Sequence, residues 1–244
     1  MNGERRPSWR ITSAWTRGVA VAVKAAIGTP GNSARRSPRN AVSIAAQSSG
    51  VSAFSASGII VDRRLRTTNR RIFAIGDVAG GPRFTHVAGY HAGIVLRNAL
   101  FRIPAKVDHS SVPRVTYAHP ELAQVGATEV EARAAHKTIV VLRSPFSEND
   151  RAQAERCAEG LVKVVTDRRG RILGAGIVGP SAGELIHTWV LAMSRRIPLR
   201  ALATMVAPYP TLGEASKRAA GNFYAEKLFS ERTRFIVRLL ARLG

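Results

Sequence analysis

Two apolar runs, residues 161–166 and 171–178, are separated only by Asp167-Arg-Arg-Gly170. A short polar break ending in glycine is a hairpin signature, because only a tight turn returns the chain so soon. It commits the region to two adjacent antiparallel strands, and the flanks indicate what covers them. Thr128-Glu-Val-Glu131 and Ser181-Ala-Gly-Glu184 both have capping-box spacing, a hydroxyl followed three residues later by a carboxylate. Each is expected to open a helix, the second running to about Arg195. Strands at 114–117 and 138–143, and a helix entered at Pro210 and closed by Gly221, complete the pattern. The expected class is α+β, helices packed on an antiparallel sheet.

Before this domain the texture is different. Residues 1–57 are rich in Arg, Ser and Ala, hold Glu4 as their only acid, and show little periodicity. They read as irregular, either a transit or signal-like leader or a stretch outside the native reading frame. From Gly58 order returns: a strand at 58–62, a polar turn at 67–69, and a buried-type strand at 72–75 ending in Gly76-Asp77. A Gly/Pro loop at 78–84 leads into a helix over 86–101, on which Gly89 and Gly93 offer a bare face for packing on a sheet. Residues 104–113 read as a linker. The expected organisation is therefore 1–57 irregular, 58–108 an α/β remnant, 109–225 the α+β domain and 226–244 an amphipathic helix. In that last helix Leu228, Phe235, Ile236, Leu239, Leu240 and Leu243 oppose Arg232, Arg234, Arg238 and Arg242. It is expected to pack on its own fold in preference to an anionic membrane or another subunit.

The net charge of +21 and pI near 11.6 bring nucleic acid into consideration. The 37 basic residues are 31 Arg and 6 Lys spread along the whole chain, with no dense block interleaved with aromatics. A solvated arginine-rich surface accounts for them, and no nucleic-acid partner is assigned. The single cysteine, Cys157, excludes an internal disulfide or a Cys-x-x-Cys pair, fits a cytoplasmic protein, and reads as an incidental thiol on an exposed loop. The six histidines have no ligand spacing, so no metal is expected. Gly174-Ala-Gly176-Ile-Val-Gly179 matches the dinucleotide fingerprint literally but follows a hairpin strand, so it reads as a glycine-rich strand end.

The segment Thr68-Asn-Arg-Arg-Ile-Phe-Ala-Ile-Gly-Asp77 carries chemistry. A buried strand ending in Gly-Asp sets a carboxylate at its C-terminal edge, where ligands meet α/β sheets. The glycine allows close approach, and the carboxylate accepts hydrogen bonds from a polyol. A plain Gly-Asp turn is the alternative.

This segment, continued by Val78-Ala-Gly-Gly and Phe84-Thr-His-Val-Ala88, resembles the second FAD-binding motif of class I pyridine nucleotide–disulfide oxidoreductases. The likeness extends to their dimerisation domain, through Tyr117-Ala-His-Pro-Glu121, Val125-Gly-Ala-Thr-Glu129, Glu148-Asn-Asp-Arg-Ala152, Gly160-Leu-Val-Lys163 and Pro208-Tyr-Pro-Thr-Leu-Gly-Glu214. The mercuric-reductase-like branch is the nearest in flavour. The resemblance implies FAD as cofactor, NAD(P)H as co-substrate of an intact enzyme, and a homodimer. It implies that Gly76 and Asp77 meet the ribityl chain, and that Thr85, His86 and Val87 aim a helix N-terminus at the flavin N1/C2-carbonyl edge. Negative charge gathers there on reduction, and a helix N-terminus stabilises it. In the family's His-Pro-Thr motif the histidine position is held by Tyr209, while Glu214 keeps its place. As the implied catalytic pair, they would act as donor and orienter on the partner's flavin site, the phenolate somewhat favoured by a helix N-terminus at Pro210. Packing at the dimer seam is the alternative role for Tyr209.

A redox cysteine pair, an NAD(P)H domain and an N-terminal Gly-x-Gly-x-x-Gly are not in this sequence. The chain is therefore read as the C-terminal portion of an FAD-dependent NAD(P)H oxidoreductase, a truncated product, with its own catalysis left open. Two alternatives stand beside it: a non-catalytic module that pairs with a full-length oxidoreductase, and a basic nucleic-acid binder.

Overall fold

The computed structural model of the chain describes residues 20–24, 50–55 and 58–241. The chain divides into two compact units, Met1–Asp108 and His109–Gly244.

In the first unit β1 (Ala20–Lys24) pairs in parallel with β4 (Ile72–Gly76), in register from Ala20 opposite Ile72 to Lys24 opposite Gly76. Parallel pairing is the mark of an α/β layer. This strand lies inside 1–57, read above as irregular. The rest of that stretch, apart from 50–55, lies outside the described residues, as does the leader reading apart from 20–24. β2 (Phe54–Ser55) and β3 (Gly58–Ile59) form a short antiparallel pair, so the strand expected at 58–62 is only two residues long. Its continuation is diverted into a turn, where Asp62 Oδ1 accepts from the amides of Arg64 and Arg66.

α1 (Thr85–Ala99) packs through Val87, His91, Ile94, Val95 and Asn98. Gly89 and Gly93 are exposed, and added Cβ atoms would meet nothing within 4 Å. The expected glycine packing face is thus reversed: bulkier residues win the core side because they bury more apolar area. The first part of the expected linker is docked. Ala105 and Val107 are buried, and the Asn98 side chain both donates to the Ala105 carbonyl and accepts from its amide.

The second unit is a five-stranded, wholly antiparallel sheet in the order β5-β6-β9-β8-β7. Its strands are β5 (Arg114–Thr116), β6 (Glu121–Gly126), β7 (Ile139–Pro145), β8 (Leu161–Asp167) and β9 (Ile172–Gly179). β8 and β9 form the expected hairpin, with Asp167 Oδ1 accepting from Arg169 and Arg171 and Gly170 at φ 83. β6, between β5 and β9, was not anticipated as a strand. The glycines of the literal dinucleotide match lie within β9. Gly174 sits against the Ala127 backbone and Gly179 against the Phe146 ring, leaving no room for a side chain.

α2 (Glu129–Ala135) lies on the face of Arg143 and Lys163, with which its Glu129 pairs, while α3 (Asp150–Ala154), α4 (Ala182–Leu185), α5 (His187–Ser194), α6 (Leu199–Thr204) and α7 (Glu214–Leu228) cover the opposite face, that of Val162 and Val164. Val162, Val164, Ala175 and Ile177 of the sheet meet Trp189, Leu199, Leu202, Ala215 and Ala219 in one core. The Thr128–Glu131 capping box forms in full.

Four helix expectations are corrected. Ser181 is left-handed at φ 52 and caps nothing; the orphan amide of Gly183 is taken instead by Glu121 of β6 at 2.9 Å. The helix expected to run unbroken to Arg195 is two helices meeting at Ile186. The helix expected from Pro210 starts at Glu214, and Gly221 lies inside it, because Ala219, Ala220 and Phe223 carry the core contact past the glycine. α8 (Glu231–Leu240) follows, capped by Ser230 accepting from the Thr233 amide. Phe235, Ile236, Val237, Leu239 and Leu240 are all exposed, so the expectation that it packs on its own fold is overturned.

Candidate functional site

Two constellations match the residues singled out above, one in each unit. In the first, β4 delivers a buried Gly76 at φ 67 and ψ −146, a conformation that glycine adopts without strain. Its amide donates to His91 Nδ1 at 3.1 Å, which puts the imidazole proton on Nε2 and pins the strand end to α1. Asp77 then opens a single 3-10 turn, Asp77–Ala79, closed by Gly80, and both Gly80 and Gly81 have positive φ. Gly58 of β3 approaches the Val78 carbonyl so closely that a Cβ would collide with it. The loop backbone is therefore exposed by glycine and held by its neighbours.

The chain enters α1 through Phe84, whose side chain offers no acceptor, so no side chain caps this helix. Phe84 stacks on His86 at 5.1 Å. Thr85 and His86 are exposed at the first turn. Val87 is different: its side chain is fully buried and its amide donates to Phe84 O at 3.0 Å, so it anchors the turn. An uncapped helix N-terminus beside a glycine loop and a half-exposed carboxylate is a donor set suited to an anionic edge and a polyol.

In the second unit Tyr209 and Glu214 stand near one another in sequence but are held differently. The Tyr209 hydroxyl donates to Asp150 Oδ2 at 2.8 Å, and the ring is 70% exposed. Glu214 Oε2 accepts from the Thr211 amide at 3.2 Å, closing the turn ahead of α7. The hydrogen bond to Asp150, then its charge, holds the phenol above its ordinary value. This corrects the expectation of a favoured phenolate, because the helix starts too far along to help and a carboxylate is closer.

Three consecutive residues grip this loop and the helix that follows it. Glu148 takes Arg218 through its carbonyl at 2.6 Å and its carboxylate at 3.3 Å; Asn149 donates to the Thr211 carbonyl at 3.0 Å; Asp150 takes Tyr209. Asn149, Asp150 and His91 were not singled out from sequence. The first two lie in the quoted Glu148-Asn-Asp-Arg motif, which was the available signal. For His91 the signal was weaker, a polar residue on the helical face of Val87, Ile94 and Val95. Cys157 is half-buried, and burial followed by the neighbouring Glu155 pushes its thiol up, away from the nucleophilic form.

Residues 112–220 match the model of the pyridine nucleotide-disulphide oxidoreductase dimerisation domain, and residues 35–92 match that of the pyridine nucleotide-disulphide oxidoreductase domain. The chain belongs to the class I pyridine nucleotide-disulphide oxidoreductase family. The match to the first domain of this family begins upstream of Gly58, where the legible motifs begin.

Among curated members, a mercuric reductase of Bacillus cereus is 36% identical over 175 residues, 71% of this chain and 28% of its own length. A dihydrolipoyl dehydrogenase of Bacillus subtilis (strain 168) is 36% identical over 165 residues, 67% of this chain and 35% of its own. The chain thus spans roughly a third of the length of these relatives. Among solved structures, a Cu(II) complex of the HOCl-induced flavoprotein disulfide reductase RclA from Escherichia coli superposes with a TM-score of 0.69 at 27% identity. It covers 74% of this chain and 42% of its own. LpdA from Mycobacterium tuberculosis gives 0.67 at 29%, covering 71% and 38%. The family is FAD-dependent, and the Gly76–Val87 segment fits the flavin end of that cofactor in its donor set and its glycine-exposed backbone.

Proposed function

We propose that the whole protein is an FAD-dependent, NAD(P)H-linked oxidoreductase of the cytoplasm. In this reading, residues 58–108 contribute the flavin-edge contacts and residues 109–225 pair two copies. The observation that carries it is Gly76 at φ 67 joining the buried strand to Asp77, with the uncapped start of α1 close behind in sequence. Gly76 lets the ligand chain approach the backbone, Asp77 accepts from ribityl hydroxyls, and the Thr85 and His86 turn faces the flavin edge. Bound FAD supplies the electron transfer; the residues here bind and orient it.

Pairing is supported by exposed apolar side chains within the matched dimerisation domain, including Tyr117, Leu122, Val178, Leu191, Val206 and Tyr209. In the pair, Tyr209 is set at the partner's flavin site by its bond to Asp150, a bond its single O–H proton leaves when it serves there as donor. Glu214 orders its loop, and the acceptor served is other than a simple disulfide.

FAD titration of the purified chain, followed by flavin fluorescence, tests the flavin edge. Binding is expected to be weak, because pyrophosphate and adenosine contacts lie elsewhere in the family, and Asp77→Ala weakens it about tenfold further. Stoichiometric flavin on the purified chain overturns the expectation of weak binding, and an Asp77→Ala titration unchanged from wild type overturns the flavin-edge assignment. Light scattering at micromolar concentration tests pairing, and a monomeric mass refutes it. For Tyr209, Tyr→Phe in an intact homologue with the same Pro-Tyr-Pro-Thr motif lowers turnover; unchanged turnover assigns the ring to packing alone.

A further inference from the structure

The last helix described is not accounted for by any of this. The dimerisation-domain match ends at residue 220, before α8 begins at Glu231. From Glu231 to Ala241 every described side chain except Thr233 is exposed. Phe235 is 68% exposed and Leu240 59%, with Ile236, Val237 and Leu239 at half or more, and Leu228 and Phe229 just before them are also open. Apolar side chains of this size are normally withdrawn from water, and one helix showing so many together marks a surface that meets something.

The opposite side of the same helix is basic. Arg234 and Arg238 lie one turn apart and away from Phe235 and Leu239. From Leu228 to Leu243 the sequence holds four arginines and one acid, Glu231, which pairs with Arg234 at 3.6 Å. Among the described residues no helix is long and apolar enough to cross a membrane. A ten-residue helix is only about 15 Å long. Its apolar face is therefore far smaller than the roughly 800 Å² per partner that a stable protein interface buries. Charge also argues against a second copy at this helix, since Arg234 and Arg238 of one copy would meet those of the other.

We infer that α8 is an interfacial helix that lays Phe235, Ile236, Leu239 and Leu240 into an anionic lipid surface while Arg234 and Arg238 meet the headgroups. An apolar stripe and an arginine face at low mean hydropathy, too short to span, are the requirements for a helix lying in the plane of the interface. Anionic lipid is the occupant because it is complementary to both faces at once, whereas nucleic acid leaves the apolar stripe in water.

The test is co-sedimentation of the full chain with vesicles of phosphatidylcholine alone, and of equal parts phosphatidylcholine and phosphatidylglycerol. The chain is expected to partition to the anionic vesicles and little to the neutral ones. The net charge alone draws any such chain to an anionic surface, so the deciding variant changes apolarity with little change in charge. Phe235→Asp/Leu239→Asp adds two carboxylates, from +21 to +19, and is expected to lower anionic-vesicle partitioning about tenfold. Arg234→Glu/Arg238→Glu lowers it as well and flattens its salt dependence. All four positions are exposed in the fold, and the circular dichroism of each variant is expected to match wild type. Wild type absent from anionic vesicles overturns the inference, as does a double-Asp variant that partitions like wild type. So does a double-Asp variant whose only change is a smaller mass in light scattering, since that makes a second copy the occupant.

Discussion

The hydroxyl of Tyr209 donates to the carboxylate of Asp150 at 2.8 Å, although 59 residues separate them. A phenol that donates to a carboxylate resists losing its proton, first because the hydrogen bond would be lost and then because two negative charges would face each other. Its folded pKa is raised, so the contribution is present below the ordinary tyrosine value of about 10 and disappears as pH rises through the folded value. Phenolate absorbance of wild type minus Tyr209→Phe isolates this titration. In Asp150→Asn it moves to lower pH; an unmoved curve shows that the bond does not form in solution.

A second titration runs the other way. Glu129 is hydrogen-bonded by Arg133 at 2.7 Å, meets Lys163 at 3.0 Å and Arg143 at 3.4 Å, and its carboxyl is lowered from 4.5 to about 2. A depressed carboxyl stabilises above its unfolded value and loses that stabilisation as pH falls through the folded one. Urea midpoints of wild type and Glu129→Gln should therefore differ above pH 4.5, the unfolded value, and converge as pH approaches 2. High salt shrinks the difference because the cluster is solvent-facing. Midpoints that differ equally across that range contradict the ion cluster.

Gly221 sits inside α7, and an added Cβ meets nothing within 4 Å. Glycine in a helix interior costs about 0.5–1 kcal/mol relative to alanine. Gly221→Ala is expected to raise stability by that amount in chemical denaturation. A loss of stability would mean the position is covered in solution.

Trp189 is fully buried, and its indole N–H donates to Ser216 Oγ at 3.1 Å. Ser216→Ala leaves that donor unpaired in the core, at a cost of about 1–3 kcal/mol. Thermal unfolding reads it, and Ser216→Thr should recover part of the loss if its hydroxyl reaches the indole. A melting temperature unchanged in the alanine variant argues against the bond.

What sequence determined here is local or motif-borne. The Asp167-Arg-Arg-Gly170 hairpin and the Thr128–Glu131 box were legible because both are set by atoms within a few residues. The strand ending at Gly76-Asp77 was legible from its apolar run, and the family from the ordered series of motifs. Ser181 had the same capping spacing and did not cap, because Glu121 from another strand supplies the acceptor for Gly183. Gly221 had a helix-end signal that lost to core packing by Ala219, Ala220 and Phe223.

The site divides in the same way. Sequence pointed to Gly76, Asp77, Thr85, His86, Val87, Tyr209 and Glu214 by their position in motifs that resemble the family's. Only the tertiary structure decided that His91 receives the Gly76 amide, that Val87 anchors the turn, and that Asp150 rather than Glu214 holds Tyr209. Whether α8 covers its own fold was likewise beyond periodicity. A hydrophobic stripe states which face seeks burial but not against what, since the partner surface is set by residues far away in the chain.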